Sequence, residues 1–344
     1  MNYYAGIDVS LESSSICVVD GDGKIAREAK VASEPEALIG WFASLEMKVE
    51  RIGLEAGPLS QWLYAGLQAA GLSVELLETR HVNAVLKSMP IKTDRNDARG
   101  IAQLMRLGWF RPVHCKSMGA QETRAILTAR KLVQSKLKDV EMSLRGMLRG
   151  FGLKVGKTTQ LSFAPRVQEL VSGHPTLEAV AKALLKVRAV LLSELKSFER
   201  SVRQLARGNP LIRLLSTAPG VGILVALTYV SSIDDPTRFK SSKDVGPYLG
   251  MVPRRYQSGE TDITGRITKT GDASVRAALY EAAHVILTRP IKGGALKSWA
   301  MRLAKRAGMA KAKVALARKL AVILHRMWIS QTPFSFGAAD AAAA

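Results

Sequence analysis

The first hundred residues alternate between short apolar runs typical of β-strands and longer stretches with helical spacing. Three β-like runs open the chain at residues 3–8, 14–19 and 25–31, and the Asp20-Gly-Asp-Gly segment between two of them is a strong turn signal. The pattern then predicts helix, strand, helix and strand in turn, at 34–45, 49–54, 59–70 and 73–77. Strands that alternate with helices in this order predict an α/β domain with a mixed sheet.

The middle of the chain is helical in pattern. A basic helix is predicted at 119–150, a polar bridge containing Gly, Thr and Pro at 152–175, and a second long helix at 176–207. One row of apolar residues in that second helix repeats at intervals of seven: Leu177, Leu184, Leu191, Phe198 and Leu205. Further apolar residues lie between them: Val180, Val187, Leu195 and Val202. This spacing is typical of a coiled-coil seam, and it predicts either a hairpin of the two helices or an oligomerisation arm.

The C-terminal third begins near Pro210 and is mostly helical. A Pro-Gly-Val-Gly turn, which contains Gly220 and Gly222, leads into a helix and resembles a helix-hairpin-helix element. Backbone N–H groups at such a helix start can bind phosphate, although an ordinary glycine turn gives the same signal. Residues 248–267 are predicted to be rich in loops, helices are expected at 273–287 and 294–327, and the Ala-rich tail is expected to be disordered. These patterns divide the chain at 1–110, 111–208, 209–335 and 336–344.

Composition limits the compartment and class of the protein. The 344 residues are 47% hydrophobic, which is enough for two or three folded cores. The chain lacks an apolar run of membrane-span length and a signal-peptide pattern, so we expect a cytoplasmic protein that does not enter a membrane. Cys17 and Cys115 are isolated in the sequence, and their spacing supports neither a zinc site nor a disulfide framework.

The charge of the chain is strongly asymmetric. It has 50 Lys and Arg against 29 Asp and Glu, a formal net charge of +21. Residues 1–90 contain 7 basic and 12 acidic side chains, which leaves 43 basic and 17 acidic side chains for the remainder. A net charge of +26 beyond Pro90 is typical of a protein that binds a polyanion, and nucleic acid is the expected partner rather than anionic lipid.

Four carboxylates occupy positions that are predicted to lie close together in the fold. Asp8 ends the first β-like run, Glu55 follows another, and Asp94 and Asp97 open a helix that extends to about Leu107. The last two share a helix face because they are three residues apart. Hard oxygen ligands from two strand ends and one helix suit Mg²⁺ and two-metal phosphodiester chemistry. Taken singly, each acid also has a structural explanation, as a strand end, an ion pair with Arg51 or a helix cap.

A second candidate centre lies near Ser258, in a Gly-containing turn that follows two arginines. Guanidinium groups bind phosphate and offset charge in a transition state, so a serine beside Arg254 and Arg255, with Lys269 and Arg276 after it, can attack a phosphodiester. Ser-Gly is also an ordinary turn dipeptide. Ser241 and Ser242 follow basic or aromatic residues too, but helix capping explains them.

These motifs occur together in one order. That order runs from Gly-Ile-Asp, Leu-Glu-Ala-Gly and Lys-Thr-Asp-x-x-Asp-Ala through the helical middle to Pro-Gly-Val-Gly and Tyr-Leu-Gly-Met-Val-Pro-Arg-Arg-Tyr-Gln-Ser-Gly. The chain thereby resembles, over nearly its whole length, the D-E-D-D transposases of insertion-sequence family one-ten, the bridge-RNA-guided recombinases. The element order and the positions of the carboxylates are likewise those of a ribonuclease-H-like fold.

The resemblance implies a function and a set of residue roles. Asp8, Glu55, Asp94 and Asp97 correspond to the Mg²⁺-binding tetrad of a RuvC-like domain, and Ser258 to the serine that becomes joined to a DNA 5′ phosphate. It also implies a tetramer, in which the RuvC-like domain of one subunit meets the serine-bearing transposase domain of another. A non-coding bridge RNA would pair with donor and target DNA, and basic helical surfaces would hold the nucleic-acid backbones.

Three other classes of protein share part of this pattern. A RuvC-like or ribonuclease-H-like nuclease uses the same carboxylates with water as nucleophile and does not need Ser258. Gly-Ile-Asp-Val-Ser also resembles the first phosphate loop of actin-like sugar kinases, but the further phosphate and adenosine motifs of that class are missing in suitable context. A non-catalytic packaging protein needs only the positive charge, and four placed acids argue against it because unpaired acids repel nucleic acid.

Overall fold

The computed structural model describes residues 2–87, 91–291 and 293–336. The chain forms two compact units, Met1–Lys116 and Ser117–Ala344. The expected division of the second unit at residues 208 and 209 stays a prediction. The predicted disordered tail lies outside the described residues, except for Phe336.

The first unit is a five-stranded mixed sheet with helices on both faces. Its elements follow the predicted order, with two helices after the last strand: β1 (Tyr3–Val9), β2 (Ser13–Val19), β3 (Ile25–Ala32), α1 (Pro35–Ala43), β4 (Val49–Glu55), α2 (Ser60–Ala69), β5 (Val74–Leu77), α3 (Thr79–Leu86) and α4 (Asp94–Leu107). The strand order is β3-β2-β1-β4-β5. β1 pairs antiparallel with β2 and parallel with β4, and β4 pairs parallel with β5. This mixed α/β sheet is compatible with the expected ribonuclease-H-like fold.

The two faces of the sheet bury different sets of residues. Ile7 and Leu54, which are paired in register, pack with Leu38 of α1 and Leu63 of α2. Their neighbours in sequence point to the opposite face because side chains alternate along a strand. On that face Cys17 packs against Ala98 and other residues of α4. The sheet is therefore the middle layer of three, with α1 and α2 on one side and α4 on the other.

The second unit begins with a long helical hairpin. Its helices are α5 (Met118–Gly150) and α7 (Pro175–Arg207), which pack against each other. Arg188 of α7 is only 4% exposed, and its Nε donates to Oε1 of Glu141 on α5 at 2.7 Å. The predicted intramolecular hairpin is thus present. The contact line is shifted from the predicted seam, because Val180 and Val187 are exposed. The buried residues in this part of α7 are Ala181, Leu185 and Arg188.

Two further details of the second unit differ from the sequence-based expectation. The polar bridge contains a helix, α6 (Phe163–Val171), with buried residues at every fourth position. The region expected to be rich in loops contains a β-hairpin of β6 (Pro253–Ser258) and β7 (Thr261–Ile267). Its residues are almost all exposed, so the alternation that marks a half-buried strand is missing.

Several shorter helices pack into one core with the C-terminal part of α7. These helices are α8 (Pro210–Leu215), α9 (Ile223–Ile233), α10 (Val245–Tyr248), α11 (Ala273–Thr288), α12 (Gly294–Ala307) and α13 (Met309–Ser330). A single helix was expected over α12 and α13. It is broken at Gly308, whose φ of +88° cannot continue a right-handed helix. None of the helices in the described residues has the length and apolar character of a membrane span.

Candidate carboxylate centre and serine hairpin

Asp8 and Glu55 lie at the carboxyl ends of neighbouring parallel strands. The last paired residues of β1 and β4 are Ile7 and Leu54, so each acid comes one residue after this pair. Both acids are half-buried. Because Ile7 and Leu54 point towards α1 and α2, strand alternation directs Asp8 and Glu55 to the face covered by α4.

The first turn of α4 contributes Asp94 and Asp97. Thr93 caps the helix, since its hydroxyl accepts a hydrogen bond from the Asn96 N–H at 3.2 Å and its carbonyl accepts one from the Asp97 N–H at 2.9 Å. Asp94 is exposed, whereas Asp97 is half-buried. Acidic residues in the first turn also suit the positive end of the helix dipole.

Gly6 allows α4 to lie directly against the sheet near these acids. A Cβ at this position would stand 2.3 Å from the carbonyl oxygen of Ala98 and 2.3 Å from the N atom of Ala102. Both atoms belong to the backbone of α4, so a side chain cannot be accommodated by a rotamer change. The glycine two residues before Asp8 thus sets the distance between the strand and the helix that carries Asp94 and Asp97.

The pKa values link the four carboxylates electrostatically. The pKa of Asp8 is raised to about 6, chiefly by burial and then by the charges of Asp94 and Asp97, against an opposing effect of Lys92. Burial also raises the pKa of Glu55, with additional contributions from Asp8 and Asp97. The four acids therefore form a region of concentrated negative charge that a cation would stabilise.

The carboxylates fit a divalent cation by chemical type and by charge. Carboxylate oxygens are the preferred ligands of Mg²⁺ and Ca²⁺, and the mutual repulsion seen in the pKa of Asp8 and Glu55 would be relieved by such an ion. Within the described ranges, no three His, Cys, Asp or Glu side chains lie close enough together to hold a metal ion as they stand.

Three further residues lie at this centre and were not predicted as site residues. Asn83 Nδ2 donates to Glu55 Oε1 at 3.4 Å, and Thr79 Oγ1 donates to the carbonyl of Ala56 at 2.8 Å. Lys92 acts on the pKa of both Asp8 and Glu55. The spacing of Thr79 and Asn83, four residues apart after β5, was the available signal, because helices after parallel strands begin at the same sheet edge.

Ser258 lies at the tip of the β6–β7 hairpin. It is the last residue of β6 and pairs with Thr261 across a two-residue turn. The first turn residue, Gly259, has a φ of +55°, which glycine adopts without strain. Ser258 is exposed, as are all the other residues of β6. A macromolecular substrate can therefore reach its hydroxyl.

The two arginines of the hairpin have different surroundings. Arg255 forms two parallel hydrogen bonds to Asp262, from Nε at 2.8 Å and from Nη2 at 2.7 Å. Arg254 donates from Nη2 to the carbonyl of Thr268 at 3.3 Å. Both remain exposed at the surface of the hairpin, so each retains donors that can face a phosphate.

The remaining predicted phosphate contacts are distributed over the second unit. Arg276 Nη1 donates to three carbonyl groups, those of Leu249, Thr270 and Gly271, and so anchors the turns around it. Gly220 has a φ of +73°, and a Cβ there would stand 2.5 Å from the carbonyl oxygen of Ala282. Close packing against Ala282 of α11 therefore explains the glycine at position 220 without a phosphate contact. Gly222, at the N-terminus of α9, faces open space.

Ser241 has the capping role expected of it, whereas Ser242 makes a different contact. The Ser241 hydroxyl accepts from the Lys243 N–H in a capping box with Asp244, at a 3₁₀ turn over Ser242–Asp244. Ser242 Oγ lies 2.9 Å from Nδ1 of the buried His325. Both serine hydroxyls therefore have hydrogen-bond partners within the protein.

Two family models match the chain. Residues 5–152 match a transposase family of DEDD type named for IS110, and residues 212–294 match the family described as Transposase IS116/IS110/IS902. The first interval contains all four carboxylates, and the second contains Ser258 and the predicted phosphate contacts around it.

Two individual curated proteins are similar to the chain over most of their length, and a third is similar over part of it. The transposase for insertion sequence element IS1111A of Coxiella burnetii is 29% identical over 97% of this chain and 91% of its own. The transposase for insertion sequence element IS1328 of Yersinia enterocolitica is 25% identical, over 83% of this chain and 85% of its own. The pilin gene-inverting protein of Moraxella bovis is 28% identical over 35% of this chain and 38% of its own.

Proposed function

Because this chain belongs to the IS110 family of DEDD transposases, enzymes that act on DNA, we propose that it exchanges DNA strands through a 5′-phosphoserine at Ser258. In this proposal the carboxylate tetrad assists by binding Mg²⁺. The observation that supports the proposal is that Asp8 and Glu55 lie near the acidic first turn of α4. The charges of Asp94 and Asp97 contribute to the raised pKa of Asp8. Asp8, held close to these other negative charges, is destabilised in its ionised form unless a cation binds.

The metal-binding part of the proposal depends on the donor set. DEDD transposase domains generally use divalent metal ions, and Asp8, Glu55, Asp94 and Asp97 would hold Mg²⁺ here. When bound, the ion would supply charge stabilisation to a phosphoryl oxygen and its leaving group. Asn83 holds Glu55 by its hydrogen bond, and Lys92 partly offsets the negative charge before an ion binds.

The covalent step assigned to Ser258 is a transesterification. Its Oγ attacks the phosphorus of a DNA phosphodiester, a new Oγ–P bond forms, and the bond from phosphorus to the 3′ oxygen breaks. The serine proton is transferred overall to the departing oxygen, which leaves as a 3′ hydroxyl. The phosphate stays joined to its 5′ side, so the bond energy is kept for rejoining. Arg254 and Arg255 are the nearest guanidinium groups in sequence that can balance the phosphate charge.

A guide RNA and an oligomer complete the proposal. The net charge of +26 beyond Pro90 suits the backbones of RNA and DNA together, with base pairing choosing the sequence. The exposed apolar residues of α7, Val180, Val187 and Val190, suit contact with a second copy of the chain. We propose a dimer to tetramer built through this face.

The test is a search for a covalent protein–DNA adduct. Purified protein, its element-encoded RNA, Mg²⁺ and end-labelled cognate DNA are resolved on a denaturing gel with and without protease, for wild type, Ser258→Ala and Ser242→Ala. We expect a protease-sensitive adduct in wild type and Ser242→Ala that is missing in Ser258→Ala. Cleavage without an adduct, undiminished in Ser258→Ala, would instead identify a nuclease that uses water.

A further inference from the structure

A cavity of about 1060 Å³ lies between the β6–β7 hairpin and helices α12 and α13. Of its sixteen lining residues, all in the described part of the second unit, none is Asp or Glu. Six are cationic: Lys243, Arg266, Lys269, Lys311, Arg318 and Lys319. A concave surface with this charge concentrates anions, because its walls exclude solvent that would screen them.

The walls of the cavity are apolar and include an aromatic ring. Met251, Ile267, Trp299 and Val322 contribute to them. Lys319 is 7% exposed, and its Nζ lies 4.5 Å from the centre of the Trp299 ring. Burial lowers the pKa of Lys319, and the nearby Arg326 lowers it further. The site therefore combines positive charge with an apolar surface inside one cavity.

This combination matches unpaired nucleic acid better than a duplex. A single strand offers phosphates to cations and flat base faces to an aromatic side chain, as in grooves that bind single strands without reading their sequence. In a duplex the base faces are stacked inside, so only the phosphates would be used and the apolar wall would have no function. An acidic peptide would use the cations but leave Trp299 without a stacking partner.

The cavity adjoins the hairpin that carries Ser258. Residues 264–267 of β7 form one wall, with Pro253 of β6 beside them. From Pro253 to Ser258 the strand rises about 17 Å, at ~3.4 Å per residue. A DNA strand bound at the hairpin tip can thus continue along the hairpin into the cavity. Lys269 lines it with a φ of +56°, an uncommon backbone conformation for a lysine.

We propose that this cavity holds an unpaired segment of the DNA strand cut by Ser258, with phosphates at the cationic residues and a base against Trp299. This inference rests on the proposed transposase function and adds a strand-holding site to it. The site keeps the cut strand separated from its complement close to the serine, which a strand exchange requires.

The experiment measures binding apart from chemistry. Full-length Ser258→Ala protein is titrated, without Mg²⁺ or RNA, against a fluorescently labelled oligo-dT single strand and against a duplex of equal length, by anisotropy over a range of salt. The cavity variants are Trp299→Leu and Lys311→Gln, and their controls are Trp62→Leu and Lys305→Gln. Trp62 and Lys305 are exposed and do not line the cavity. Lys311 lines the cavity and is also exposed. Thermal melts verify that each variant is folded.

We expect Trp299→Leu to weaken single-strand binding at least about five-fold, the effect of one lost stacking contact, while duplex binding stays within two-fold. Lys311→Gln should lower the salt dependence of single-strand binding by about 0.7 in log–log slope, the value for one lost phosphate contact. The control variants should match the parent protein.

Equal binding by the cavity and control variants would overturn the proposal, as would equal losses for single strand and duplex. Competition by poly-glutamate as effective as that by oligo-dT would overturn it in favour of an acidic peptide. If Trp299→Leu fails to fold, the exposed Lys311→Gln decides. The adduct assay for Ser258 is independent of this binding experiment. If the adduct forms but the cavity variants bind single strand normally, only the strand-holding site is rejected. If the cavity variants bind single strand weakly but no adduct forms, only the serine mechanism is rejected.

Discussion

At the scale of single residues, the carboxylate centre is defined by its electrostatics. The sequence indicated which four acids belong together, while their coupling depends on burial at the sheet edge, which raises the pKa of Asp8 to about 6. Asn83 and Lys92 entered only with the structure, since neither residue type marks a metal site by itself.

Asp8 gives a pH-dependent prediction. Its pKa is about 6 in the fold against an ordinary 3.8. Between pH 3.8 and about pH 6 the folded state therefore binds more protons than the unfolded state, and the free energy of unfolding falls as the pH rises through this range. Asp8→Asn cannot ionise, and we expect it to raise the Tm above pH 6 in EDTA and to change little at pH 4. Added Mg²⁺ should then stabilise wild type and not the variant.

The control for that prediction is Asp22→Asn, which removes an equal charge from an exposed turn residue. Thermal melts at pH 4 and pH 8 are the measurement. Equal changes in Tm at the two pH values, or equal changes in Asp8→Asn and Asp22→Asn, would show that the carboxylates do not repel one another in the fold.

At the scale of elements, the contact between β1 and α4 positions the site. The alternation of apolar residues predicted both elements, but not that α4 lies on the face opposite α1 and α2. Gly6 explains this arrangement, because only a residue without a side chain lets the backbone of α4 come so close. The β6–β7 hairpin was not predicted, because strands that bury neither face lack the alternation of apolar and polar residues.

Gly6→Ala tests that contact. The new Cβ would overlap backbone atoms of α4, so we expect a loss of about 1–3 kcal/mol or more in the free energy of unfolding. Gly40→Ala is the matched control: its Cβ would meet open space in the middle of α1, and a gain of up to about 1 kcal/mol is expected. Urea titration measures both. A Gly6→Ala protein as stable as wild type would contradict the tight contact.

At the scale of the whole molecule, the proposed assembly on nucleic acid rests on charge and on exposed apolar surface. The acidic surplus of residues 1–90 and the basic surplus beyond them are properties of the sequence alone. The exposed face of α7 became visible only when the line of contact with α5 was known.

Val187→Glu tests whether that face joins copies of the chain. Val187 is 47% exposed, and a charge there would be buried without a partner in an interface. We expect the oligomer to fall to a smaller species in light scattering coupled to size-exclusion chromatography. Ala189→Glu adds the same charge to an exposed position of α7 that is not three or four residues from Val187 or Val190, and it should leave the mass unchanged. Equal masses for both variants would place the interface elsewhere.

Mixed oligomers test whether active sites are shared. If the carboxylates of one subunit act with the serine of another, Asp8→Ala and Ser258→Ala proteins, each inactive alone, should partly complement when mixed. The measurement is adduct formation after co-assembly, with mixed assembly verified by differently tagged subunits. A verified mixture without activity would argue for sites confined to one subunit.

The sequence by itself determined the element order of the first unit, the order of the motifs and the distribution of charge, because these depend on local periodicity and composition. Only the tertiary structure decided which face of the sheet carries Asp8 and Glu55, how closely α4 approaches at Gly6 and which residues surround Trp299. Those features arise from contacts between residues distant in the chain. Strand pairing and packing set such contacts, and no local pattern of residues encodes them.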